Sequence, residues 1–117
     1  MNKRKITKID NLKFKPFDKY GKPIRGWMWH NISFDKKTNF GTYISKLEAG
    51  TKTLPHFHAG HEEFLILDGE LIDSDGTIFK KGDFVSYKPK SDHYSYTKKG
   101  CLILTFMRGQ NKQINKK

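Results

Sequence analysis

Three histidines and two carboxylates fall within eight consecutive residues of this 117-residue chain. Imidazole and carboxylate groups together suit a first-row divalent ion such as iron, manganese, nickel, copper or zinc. His56 and His58 are two residues apart, so on an extended strand their side chains share one face and can reach one ion. A turn at 59–61 can bring Glu62 to the same point, and His93 is a candidate fourth ligand. These residues predict a metal site with three imidazoles and one carboxylate.

The alternative is that the ionisable groups lie in solvent, because burying them without a partner would be costly. That alternative suits His61 and Glu63, which we expect at the surface or behind the ligands. It suits Glu62 less well, because Glu62 leads directly into the apolar run 64–67. His61 is also a candidate catalytic residue, since histidine can shuttle a proton at neutral pH, or it is a loop histidine with no role.

The elements that must position these ligands are predicted to be β-strands. Gly and Pro recur at short intervals, and the runs between them are rich in Ile, Thr, Tyr and Phe. Such runs suit half-buried strands, and no stretch has the sustained apolar spacing of a helix. Asp68-Gly69 and Asp75-Gly76 predict tight hairpin turns, because Asp-Gly supplies the positive φ values that those turns require. A third turn at 80–83 completes a meander that folds His93 back towards Glu62.

The charge pattern argues against a nucleic-acid partner. The formal net charge is +11, but nine basic and two acidic residues lie in 1–25, and four basic residues with no acid lie in 108–117. The segment between them is balanced. Only three of the 23 basic side chains are Arg, whereas base reading and bidentate phosphate binding favour Arg. We therefore expect solvated Lys-rich ends.

Cysteine and tryptophan residues give weaker signals. Cys101 is the single cysteine, so no intrachain disulfide can form, and its place at the start of an apolar run predicts a buried hydrophobe rather than a redox switch. No apolar stretch has signal-peptide or membrane-spanning length, so we expect a cytoplasmic protein without a membrane partner.

Trp27 and Trp29 alternate along one strand, so both indoles share a face. We expect that face to pack on the barrel exterior or in a homodimer interface.

Residues 50–69 resemble the first motif of the cupin superfamily. That motif reads glycine, five residues, His-x-His, three or four residues, Glu, six residues, glycine, and each spacing agrees when Glu62 is the glutamate. With Glu63 the last interval is one residue short, so Glu62 is the predicted ligand.

Residues 82–93 resemble the second cupin motif, whose histidine is His93. Pro89 lies four rather than five positions before that histidine, and Lys90 replaces the usual turn glycine. The pattern Pro-x-Ser-x-His, with its flanking residues, is similar to the cupin domain of ChrR-type anti-sigma factors and to small stand-alone cupins related to it.

The resemblance implies a double-stranded β-helix of jelly-roll type over residues 26–109. From the sequence itself we expect residues 1–25 to form a basic arm or edge segment and residues 110–117 a frayed basic tail. The resemblance also implies one divalent metal in the barrel mouth, Fe²⁺ or Zn²⁺, with Mn²⁺ and Ni²⁺ as further candidates. The ligands would be His56, His58, Glu62 and His93.

Three functions remain open at this point. An octahedral ion with four protein ligands keeps up to two open positions, which predicts a dioxygenase-like enzyme that acts on a small organic acid or carbonyl compound. A tetrahedral zinc would be saturated, which predicts a ChrR-type sensor or regulatory domain with a structural zinc. A lyase or isomerase is the third possibility.

Side chains on the ligand face of the strands are candidates for the substrate pocket. Phe64 and Ile66 follow Glu62 at even spacing, and Ser95 follows His93 in the same way. Tyr87 is a further candidate, although an aromatic residue in a barrel is more often part of the core.

Overall fold

The computed structural model describes residues 3–53, 56–57, 61–89 and 92–108. Within these ranges the chain is built of β-strands with one short 3₁₀ turn, Ile9–Asn11, and no α-helix. No helix there is long and apolar enough to cross a membrane. The strands are β1 (Lys15–Pro16), β2 (Trp27–Asn31), β3 (Gly41–Leu47), β4 (His56–Phe57), β5 (His61–Asp73), β6 (Ile78–Lys80), β7 (Phe84–Tyr87), β8 (Asp92–His93), β9 (Ser95–Tyr96) and β10 (Cys101–Arg108).

The strands pair antiparallel throughout the described residues. One sheet runs in the order β1-β2-β3-β10-β5, and the first half of β5 also pairs with β7. The second half of β5 leaves this sheet and pairs with β6 and β9. β4 and β8 form a separate two-stranded ladder. This antiparallel barrel confirms the predicted all-β class, and strand β5 connects its two sheets.

A β-bulge in the middle of β5 replaces one of the predicted hairpin turns. Ile66 is opposite Ile103 and Asp68 is opposite Leu102, so Leu67 has no register partner on β10. The prediction of a hairpin at Asp68-Gly69 is wrong, because Gly69 uses its positive φ of 78° inside a continuous strand. A bulge adds one residue and bends the strand, which is how one strand can serve two sheets.

The bulge also changes which residues of β5 face inward. Side chains alternate along a strand, and one extra residue reverses the alternation beyond it. The inward positions are therefore even before the bulge and odd after it: Glu62, Phe64 and Ile66, then Leu71 and Asp73. The two predicted turns at 73–76 and 80–83 are present, closed by the amides of Gly76 and Asp83.

The aromatic core lies inside the barrel and includes the two tryptophans. Trp27 and Trp29 are 9% and 7% exposed. The expectation that they cover the exterior or a dimer interface is wrong, because Phe17 and the barrel interior enclose them. Phe17 is fully buried and stacks on the Trp27 indole with ring centroids 3.8 Å apart.

The N-terminal segment contributes to this core, so no structural break marks residue 26. β1 pairs with β2, and the Phe17 amide donates a hydrogen bond to the Trp27 carbonyl at 3.0 Å. Phe17 also meets the Trp29 indole edge-on at 5.0 Å. The segment 1–25, predicted as an arm or edge segment, thus includes a short edge strand and the buried side chain of Phe17.

Candidate metal centre

A small cavity of about 40 Å³ lies inside the barrel and is bounded by two of the predicted ligands, Glu62 and His93. A buried water needs roughly 10–15 Å³ of such volume, so there is room for about three waters or one very small ligand. The wall also includes hydroxyl groups from Ser45, Thr53 and Thr105. The site therefore combines ionisable groups with a mainly apolar space that carries a few hydroxyl groups.

Glu62 and Glu63 lie on opposite faces of β5. Glu62 is half-buried and faces the cavity. Glu63 faces outward, where it accepts a hydrogen bond from the Ser86 hydroxyl at 2.7 Å and lies 3.4 Å from the Arg108 guanidinium. The strand alternation thus brings only the first of the two carboxylates to the candidate site.

The negative charge of Glu62 influences groups on the opposite wall. Burial raises the pKa of the Tyr43 phenol well above its usual range, and the Glu62 carboxylate raises it further. Burial lowers the pKa of Lys19, and Glu62 partly opposes that shift. The Lys19 ammonium lies 5.4 Å from the centre of the Tyr43 ring. The Glu62 carboxylate therefore acts electrostatically on both the Lys19 ammonium and the Tyr43 phenol.

His93 enters the site from β8, which pairs with β4. His56 is the register partner of His93, so their backbones lie directly opposite each other. The His56 side chain and all of His58 lie outside the described residues. The structure thus brings the backbone of His56 to His93, and brings the His93 side chain to the same cavity as Glu62.

A buried carboxylate, Asp73, holds the His93 ring from behind. Its Oδ1 atom lies 2.8 Å from His93 Nδ1, and the Ser95 hydroxyl donates to the same oxygen at 3.2 Å. The Tyr87 hydroxyl donates to the other oxygen, Oδ2. Asp73 is 7% exposed, so these contacts replace the water that a carboxylate would otherwise bind.

Tyr87 supports His93 in two ways. Its ring stacks on the imidazole with centroids 4.1 Å apart and planes 21° apart. Burial raises the pKa of the Tyr87 phenol, and the hydrogen bond to Asp73 raises it further. The phenol therefore stays protonated at neutral pH and remains a donor to Asp73.

The predicted pocket residues fall into two groups. Phe64 and Ser95 line the cavity. Ile66 is 1% exposed and packs in the hydrophobic core, and Tyr87 stands behind His93; neither is among the lining residues. His61 begins β5 at an exposed position opposite Arg108, on the face away from Glu62.

Sequence reasoning missed Asp73. Uninterrupted alternation from Glu62 would put Asp73 on the opposite face, and only the bulge at Leu67 brings it to the inward face. Sequence reasoning also missed that Trp27 lines the cavity and donates its indole N–H to the Ser45 hydroxyl at 2.9 Å. Leu67 carries no sequence signal that would mark a bulge. The Asp68-Gly69 pair does indicate a residue with positive φ, but Asp-Gly is more typical of a hairpin turn than of a bulge within a strand.

The described residues fit a divalent metal. Glu62 offers an oxygen, and His93 offers a nitrogen whose ring is fixed by a carboxylate, an arrangement typical of metal-bound histidine. Within the described ranges no three potential ligands form a group, since two of the four predicted ligands contribute no described side chain. The donor set agrees with a site completed by His56 and His58.

The jelly-roll barrel, with a histidine and a glutamate converging inside it, defines a cupin. The profile of the ChrR cupin-like domain family matches residues 2–110. The chain belongs to that family. A comparison with curated proteins found no match.

Solved structures support the same fold. A chain from the complex of Rhodobacter sphaeroides SigE with the anti-sigma ChrR is 16% identical, with a TM-score of 0.70, over 86% of this chain and 52% of that chain. An acetylacetone dioxygenase from Acinetobacter johnsonii is 18% identical, with a TM-score of 0.68, over 92% of this chain and 79% of that chain. An RmlC-like cupin from Shewanella frigidimarina is 13% identical, with a TM-score of 0.71, over 93% and 94%. At these identities the likeness shows the fold alone.

Proposed function

We propose that this protein is a metal-dependent cupin whose ion is held by His56, His58, Glu62 and His93. Three observations support the proposal. Glu62 and His93 reach the same cavity from different strands, and His56 is opposite His93 in the β4–β8 ladder. The His93 ring is held at Nδ1 by Asp73, and a ring that donates from Nδ1 carries its lone pair on Nε2.

We propose that the function is enzymatic, acting on a small organic acid or carbonyl compound. The observation that carries this step is the cavity beside Glu62 and His93, because a purely structural zinc site is closed and needs no adjacent space. When bound, a divalent ion would polarise a substrate oxygen as a Lewis acid, and iron would add dioxygenase-like chemistry.

The chain's own residues would bind and orient that substrate. The cavity wall supplies hydroxyl groups from Ser45 and Thr105, and Phe64 and Leu71 supply apolar surface. The Ser45 oxygen already accepts the Trp27 indole N–H, so its own proton can be donated to a ligand oxygen. These groups favour a compact molecule with an oxygen acceptor.

The first experiment measures metal by elemental analysis of protein purified without chelator. We expect about one divalent ion per chain, and loss of that ion in both His56→Ala and His93→Ala. The matched control is His30→Ala, because His30 contacts the Lys13 carbonyl at 3.2 Å and does not line the cavity. Metal retained in both ligand variants would contradict the four-ligand site.

A second experiment separates the enzyme from a sensor. The ChrR cupin-like family match supports the sensor alternative, in which zinc is structural. Iron together with oxygen consumption on addition of small diketones or acids supports the enzyme. Tightly bound zinc, with no turnover and no ligand-induced change in stability, supports the sensor. A lyase or isomerase would convert such compounds without consuming oxygen.

The assembly state and location stay predictions. We expect a cytoplasmic homodimer that binds no nucleic acid, and sedimentation velocity would show a single monomeric species if the dimer prediction is wrong.

A further inference from the structure

The contacts of His93 at Nδ1 determine which nitrogen can bind an ion. A neutral imidazole carries a proton on one ring nitrogen and a lone pair on the other, and only the lone pair coordinates a metal. The atom that faces Nδ1 therefore selects the tautomer. In this structure that atom is a carboxylate oxygen, Asp73 Oδ1, at 2.8 Å.

The donors around Asp73 show that His93 must also donate. Tyr87 presents a phenol O–H to Oδ2, and Ser95 presents a hydroxyl to Oδ1. Asp73 accepts the hydrogen bond in both contacts, as expected of an ionised carboxylate, which has only acceptor sites. The short contact at His93 Nδ1 is then satisfied by an N–H from the ring, which puts the lone pair on Nε2.

The geometry also limits rotation of the His93 ring. Tyr87 stacks on one face of the imidazole with centroids 4.1 Å apart, and the Ser95 hydroxyl lies 3.4 Å from Nδ1. A flipped ring would lose the Asp73 contact. The same three residues thus fix the tautomer and the orientation.

We propose that Asp73, supported by Tyr87 and Ser95, is the positioning residue that holds His93 in the Nδ1–H tautomer, with Nε2 directed to a metal. The proposal rests on the metal-binding function proposed above, but the tautomer itself can be measured without any metal. Asp73 lies 20 residues before His93 and outside both cupin motifs.

The first test is long-range ¹H–¹⁵N NMR of the His93 ring in the metal-free full chain. The spectrum is recorded at pH about 8.5, two units above the ordinary histidine pKa of about 6.5. We expect the Nδ1–H tautomer in the wild type and a shift towards the Nε2–H tautomer in Asp73→Asn, because the amide can present N–H to the ring. A wild-type ring in the Nε2–H form would overturn the proposal.

The second test is a competition titration of Zn²⁺ against a chelator. Loss of such an outer partner typically lowers metal affinity about 10–100-fold, and we expect that range for Asp73→Asn. Tyr87→Phe keeps the stacked ring but removes the phenol donor, so we expect a loss of a few fold. Asp75→Asn is the matched control, since Asp75 is exposed in the neighbouring turn, where its carboxylate accepts a hydrogen bond from the Thr77 amide at 2.9 Å.

The outcomes separate the two proposals. Wild-type protein that binds no Zn²⁺ contradicts the metal site, and the NMR result still decides the role of Asp73. Zn²⁺ binding that is equal in wild type, Asp73→Asn and Asp75→Asn overturns the positioning role but not the metal site. If Asp73→Asn fails to fold, the wild-type tautomer and the Tyr87→Phe affinity decide the question.

Discussion

Replacing Phe17 by alanine should cost about 4 kcal/mol of unfolding free energy, although Phe17 lies in the segment predicted as an arm. Phe17 is 0% exposed and stacks on Trp27 at 3.8 Å with the planes 5° apart. Burial of about 150–250 Å² at roughly 25 cal/mol per Å² gives about 4–6 kcal/mol as an upper value, and measured Phe→Ala losses in cores are about 3–5 kcal/mol. For a chain of this length the loss corresponds to a Tm about 15 °C lower.

Urea unfolding followed by tryptophan fluorescence measures this cost. We expect a lower midpoint with an unchanged slope, and native emission shifted to the red as the Trp27 indole meets water. Phe40→Ala is the matched control, because Phe40 is 49% exposed and its loss should cost less than about 1 kcal/mol. Equal, small losses for Phe17→Ala and Phe40→Ala would refute the placement of Phe17 in the core.

Two further predictions concern the bulge and the cysteine. Gly69→Ala should destabilise the fold by more than Gly76→Ala. Both glycines have positive φ, but a Cβ at Gly69 would collide with the Gly100 carbonyl oxygen, whereas a Cβ at Gly76 would face open space. Similar unfolding midpoints for the two variants would contradict the bulge geometry. Cys101 should react slowly with a thiol reagent at pH 8 until the protein unfolds, because burial raises the pKa of its thiol to about 11. The folded protein keeps this proton between pH 9 and 11, where an unfolded thiol ionises, so the contribution of Cys101 to stability falls as pH rises through that window; fast native labelling would contradict it.

Local sequence rules predict those features that depend on neighbours in the chain. Strand alternation distinguishes Glu62 from Glu63, and the structure places them on opposite faces. The alternation of Trp27 and Trp29 also predicts that they share a face. The alternation does not predict whether that face lies inside the barrel, because this depends on Phe17, which directly follows the two-residue strand β1.

Asp73 shows a second limit of sequence reasoning. Its position follows from the pairing of β5 with β10, a contact between segments distant in sequence. A single residue without a partner, Leu67, reverses the alternation. No local pattern specifies that residue, so the carboxylate behind His93 emerges only from the assembled sheet.

The bulge in β5 has an evolutionary consequence. Loss of one codon between Gly69 and Ile72, with the bulge at Leu67 kept, would reverse the alternation beyond the deletion and bring Ile72 rather than Asp73 to the inward position near His93. The codons of the four proposed ligands would be unchanged, yet a hydrocarbon would replace the carboxylate behind the ring. The number of residues between the bulge and Asp73 therefore decides whether a carboxylate stands behind His93, although none of the proposed metal ligands lies in that segment.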